Sequence, residues 1–156
     1  MVDLAGQAKA LLDGIEAALP AWVVGSVERV YRAWAGPLPP EVAAAAGRAA
    51  DEAVADVGLR VRGLLEADID EQGTTPLALL RTAVAYPTAV LRSAGVPPVV
   101  RDPVDEAMFP GDAYGLAPAT FADLDPGLVD AGVGWGAAKA WEHRRRHGGG
   151  SSGPGR

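Results

Sequence analysis

The chain has 156 residues, 49% of them hydrophobic and 22% charged, which is enough to bury one core and too few to need two. It has no cysteine, and this excludes disulfides, thiolate zinc sites, thiol catalysis and cysteine-ligated clusters. The net charge of −6 is uneven: −4 over residues 1–100, −6 over residues 101–130 and +4 over residues 131–156.

Apolar residues recur at Leu4, Ala8, Leu11, Ile15 and Leu19, three and four apart, which predicts an amphipathic helix with Asp3 as its N-cap. Pro20 lacks a backbone N–H and restricts Leu19, so a second helix is expected to start there and run over about 21–34, with Val23, Val27, Val30 and Trp34 on one side. This N-terminal stretch carries Asp3 and Asp13 and no basic lead-in, unlike a secretory signal, and no stretch approaches the roughly 18 consecutive apolar residues of a membrane helix. The expectation is a cytoplasmic protein that does not engage a membrane.

The breaker GPLPP at 36–40 ends the second helix, and Glu41 opens a third with the stripe Val42, Ala46, Ala49, Ala53, Val57, Val61 and Leu64. Glycine costs up to about 1 kcal/mol in a helix interior, so a bend or break is expected near Gly58. Thr75-Pro76 is an N-cap and N1 pair for a fourth helix carrying Leu77, Leu80, Val84, Val90 and Leu91 and ending near Gly95. Pro87 falls inside it and predicts a kink or split at Tyr86-Pro87.

From about residue 96 to 133 no helical period survives beyond a short turn at 103–108 and another at 118–124. Ordered domains rarely carry so long an irregular connection without a purpose. Met108, Phe109, Tyr114, Leu116, Phe121, Leu124 and Leu128 supply anchors, so the segment is expected to wrap the core. A short basic helix over about 134–146 follows, and the tail at 148–156 is Gly/Ser/Pro-rich and expected to be disordered.

Several clusters bear on chemistry. Residues 68–73, DIDEQG, begin like a calcium loop, but Leu79 stands where the bidentate glutamate belongs and Pro76 fills the ninth position. Asp112, Asp123 and Asp125 could form an acid–base or magnesium cluster, yet their Gly and Pro neighbours also suit turn capping. His143 and His147 share a helix face, but three arginines lie between them and no third ligand is evident. Arg144, Arg145 and Arg146 with Trp141 have nucleic-acid chemistry, although they fill one turn of an acidic protein. No cofactor or metal is assigned.

The stretches TPLALLRTAVAYPTAVLRSAGVPPVVRD, FPGDAYGLAPATFADLDP and WGAAKAWEHRRR, which cover about half the chain, resemble a small helical protein type of actinobacteria to which no activity is attached. The resemblance implies a bacterial cytoplasmic protein.

The whole reading is an all-α fold: a single helical domain over 1–147, four to five helices in a bundle, wrapped by the irregular segment before a short C-terminal helix. Its expected function is that of a non-enzymatic adaptor or regulator. A protein partner would bind through Phe109, Asp112, Tyr114, Phe121, Asp123, Trp135, Trp141, Arg144, Arg145 and Arg146, and the alanine-rich helix face and aromatics would equally serve a homodimer. The alternatives are a small enzyme or ligand-binding domain with a pocket between the fourth helix and the segment, using Asp112, Tyr114 and Asp123, and weak nucleic-acid binding through the arginines.

Overall fold

The computed structural model describes residues 3–66 and 75–148, and among these the fold is all-α. The calcium-like residues 68–73 and most of the tail lie outside the described residues. Helix α1 spans Leu4–Ala35, α2 Pro40–Ala53 and α3 Leu59–Glu66; α4 spans Pro76–Arg81, α5 Ala85–Ser93, α6 Pro103–Met108, α7 Phe121–Leu124 and α8 Leu128–His143.

Helix α1 is the axis of the bundle, and it packs on α2, α3, α5 and α8. Leu11, Ile15, Leu19, Val23 and Val27 are fully buried along it at four-residue intervals. The break expected at Pro20 does not occur. An interior proline costs about 3 kcal/mol, but its neighbours Leu19, Trp22 and Val23 are all buried in the same core cluster, and ending the helix there would expose them. By length and composition α1 could also cross a membrane: its most apolar window has a mean hydropathy of 1.4, with half of that window buried against the rest of the fold.

The alanine stripe of α2, with Ala46, Ala49, Ala50 and Ala53 buried, lets α1 and α5 come close. The expected disturbance at Gly58 takes the form of a π turn, Val54–Gly58, that carries α2 directly into α3. Val57 and Val61 stay buried through and beyond this wider turn. Tyr86 on α5 donates from its hydroxyl to Asp56 Oδ2 at 2.7 Å, tying the π turn to the neighbouring helix.

The fourth expected helix is split, but upstream of the proline. A 3-10 turn, Thr82–Val84, separates α4 from α5, so Pro87 sits in the first turn of α5, where a missing N–H breaks no helical bond. Thr75 caps α4, its Oγ1 accepting from Ala78 N at 3.1 Å. Helix α8 starts at Leu128, earlier than the expected 134, so the irregular stretch ends near residue 127. Gly132 and Gly134 depress helix propensity there, yet both sit close against neighbouring side chains. A Cβ on Gly132 would lie 2.6 Å from the Phe121 ring, and one on Gly134 would lie 2.3 Å from Gln7 Oε1.

Candidate functional site

The segment between α5 and α8 leaves α5 through a Schellman turn. Gly95, with φ of +83°, donates to Arg92 O, and Val96 donates to Leu91 O, each at 3.0 Å. The chain then runs out past Pro97-Pro98, turns through α6 and returns beside itself. Three contacts close this excursion. Tyr114 is buried, and its hydroxyl donates to Val96 O at 2.7 Å. Val99 N donates to Ala113 O at 3.0 Å. Asp112, also buried, accepts from Leu116 N at 2.7 Å and Ala117 N at 2.8 Å.

The segment is stapled to the core by a residue the sequence reading passed over. Arg81, at the end of α4, donates from Nε to Pro118 O and from Nη2 to Ala119 O, at 3.1 and 3.3 Å, while its guanidinium lies 5.5 Å from the centre of the Phe109 ring. Further on, Asp123 reaches back to accept from Ala119 N and Thr120 N, at 2.9 and 3.0 Å, closing the N-terminus of α7. Phe121 is half-buried against Gly132.

The ten residues expected to bind a partner therefore divide. Asp112, Tyr114 and Trp135 are buried, and the polar groups of the first two are satisfied within the fold. Phe109, Phe121 and Trp141 are half-buried; Asp123, Arg144, Arg145 and Arg146 are exposed. Lys139 covers the Trp135 ring and Arg145 covers that of Trp141. Arg145 and Arg146 both pair with Glu142 on their own helix, and the Arg145 hydrogen bond holds the Glu142 carboxyl below its ordinary range.

Acidic residues of the segment spend carboxylate oxygens on nearby backbone: Asp102 on Asp105 N, Asp112 on two amides, Asp123 on two, Asp125 on Gly127 N. Asp112 borders the two depressions beside the segment, whereas Tyr114 and Asp123 line neither. One, of about 370 Å³, lies between Arg81, Val84 and Met108, and Asp112 borders it with its oxygens already engaged. A second, of about 360 Å³, lies on the other side of Phe109, against Val100 and Asp105. A groove of about 780 Å³ runs between the start of α1, the end of α3 and the last turn of α8, with an apolar floor at Leu4, Leu12 and Leu65. Among the described residues no group of three or more acidic or histidine side chains is placed to hold a metal ion.

What the segment presents outward is α6 and its approach. Helix α6 buries none of its residues. Val100 is 102% exposed and Val104 and Met108 are each 64% exposed, with Val99 beside them at 47%. Met108, expected as an anchor, is thus a surface residue. Asp102, Asp105 and Glu106 stand exposed among these apolar side chains. The sequence signal for this patch was the pair of valines in VPPVVRDPVDEAM with no helical partner positions around them.

No family model matches the chain, and neither a curated protein nor a solved structure matches it.

Proposed function

We propose that this chain is an adaptor that binds another protein, non-enzymatically and in the cytoplasm, and that its docking face is the apolar, acidic arm formed by residues 99–108. The observation that carries this reading is the exposure of Val100, Val104 and Met108 on a helix that buries nothing of its own. Isolated surface valines need no explanation, but several on one short arm are the mark of an interaction site. The arm is tied at its base, where Tyr114 donates to Val96 O and Val99 N donates to Ala113 O, and such ties lower the ordering cost of binding.

The charge of the arm favours one class of partner. Asp102, Asp105 and Glu106 surround the apolar side chains, so the complementary surface is an amphipathic helix with leucine-like residues on one face and lysine or arginine flanking them. A fluorescent peptide of leucines and lysines at helical spacing should bind the chain, more weakly as salt rises, and its leucine–glutamate counterpart should not. Val100→Ser with Val104→Ser should weaken binding about tenfold or more, since each valine removes roughly 1 kcal/mol of apolar burial. Equal binding by both peptides, or full binding by the double variant, would refute the assignment.

A further inference from the structure

We infer that the outer face of α8 is a self-association surface, on which a second copy of this chain packs antiparallel about a two-fold axis through Ala137. The face turned to the core carries Leu128, Gly132, Trp135 and Ala138, all buried. On the opposite side Val129 and Val133 are 41% and 67% exposed, and Gly136, Ala137 and Ala140 are exposed as well. A helix that is apolar on both faces is ordinarily covered on both.

The occupant follows from register and charge. Asp130, Val133, Ala137, Ala140 and Arg144 follow the heptad spacing of a helix–helix seam, and at about 100° per residue they fall within roughly 80° of arc. The seam is symmetric in charge about its centre: Asp130 lies seven residues before Ala137, and Arg144 seven after. An antiparallel partner with the same sequence therefore sets each Asp130 beside the other copy's Arg144, puts Val133 against Ala140 and Trp141, and brings the two Ala137 residues together. Such an interface is isologous and closes at two copies.

The pairing within the chain agrees. Glu142 takes Arg145 and Arg146, and Lys139 sits over Trp135, whereas among the described residues Asp130 and Arg144 are exposed and have no partner of their own. The small residues at the centre let the helix axes approach to about 8 Å. One helix pair buries less than about 1,200 Å² in total, so the association belongs to the weak, concentration-dependent class.

Charge exchange tests this directly. In sedimentation equilibrium up to the solubility limit, the full chain should show monomer and dimer. Asp130→Arg alone and Arg144→Asp alone should each weaken the dimer roughly tenfold, because every two-fold interface contains the altered pair twice. The double variant, with both charges exchanged, should restore it. Circular dichroism checks that each variant folds; the substituted positions are exposed.

Because the chain has no cysteine, Ala137→Cys offers a second readout. Two Cα atoms near the axis lie within the roughly 6 Å a disulfide spans. Mild oxidation should then cross-link it to a dimer faster than Ala89→Cys, an exposed position on α5. A monomer at every concentration with equal cross-linking of the two cysteine variants would overturn the inference and leave the face to a different partner. A dimer that the exchanged double variant fails to restore would overturn the antiparallel register.

Discussion

Removing the carboxylate of Asp112 separates a structural role for this residue from a role in binding or catalysis. Its two oxygens lie 2.7 Å from Leu116 N and 2.8 Å from Ala117 N, and the side chain is 3% exposed. Asp112→Ala leaves both amides without an acceptor, and an unpaired buried donor costs about 1–3 kcal/mol. Leu116 is buried and pays in full, whereas Ala117 is half-buried and regains part of its loss from water. The expected destabilisation is about 3 kcal/mol, a large share of the 5–15 kcal/mol typical of a domain.

Asp112→Asn keeps one acceptor oxygen, so roughly half that loss is expected. Urea unfolding followed by circular dichroism measures both. If only the segment opens, hydrogen exchange reports it: the amides of Leu116 and Ala117 exchange faster while those of Leu19 and Val23 stay protected. An Asp112→Ala chain within about 0.5 kcal/mol of the parent, with unchanged exchange at Leu116 and Ala117, would refute the reasoning.

Tyr114→Phe should cost about 1 kcal/mol by leaving Val96 O without its donor. Burial raises the Tyr114 hydroxyl above the usual value, with Arg92 pulling partly the other way, and burial followed by the Asp56 hydrogen bond raises Tyr86 too. Since both folded values are raised, their contribution is complete below about pH 10 and is lost as pH climbs through the raised values. Urea midpoints across the alkaline range should fall less steeply in Tyr114→Phe than in the parent. Gly132→Ala should lose about 1–3 kcal/mol, because the added methyl meets the Phe121 ring at 2.6 Å. Gly47→Ala, with open space around it in α2, should gain up to about 1 kcal/mol, and thermal melts of the two should move in opposite directions. Glu142, whose carboxyl the Arg145 hydrogen bond holds low, stabilises the last turn above the ordinary carboxylate range and loses that effect as pH falls through its lowered value. An NMR titration should show its midpoint rising toward the ordinary value in Arg145→Ala.

The periodic parts of this protein are legible in the sequence because burial and helical period reinforce one another there. The stripes through Leu11, Ile15 and Leu19, and through Val42, Ala46 and Ala49, name buried faces correctly, as do Thr75-Pro76 and the Gly95 terminus. The disturbance expected near Gly58 is present too, as the π turn Val54–Gly58. Local rules fail where tertiary contact outweighs them. Pro20 ends no helix, because the side chains around it are buried in one core. The glycines of α8 do not prevent a helix, because burial of Leu128, Trp135 and Ala138 on its inner face outweighs their propensity cost, and Phe121 packs where a side chain on Gly132 would lie. The segment between α5 and α8 depends most on the third dimension. Its anchors were visible as aromatic and aliphatic residues, but not which would turn inward. Arg81, some 37 residues from the carbonyl of Pro118 that it holds, fixes the segment's path. Sequence determined that this is a helical domain with an acidic, irregular excursion; only the packing decided that Asp112 and Tyr114 close its base while Val100, Val104 and Met108 face outward, since a carboxylate's role depends on which amides the fold brings to it.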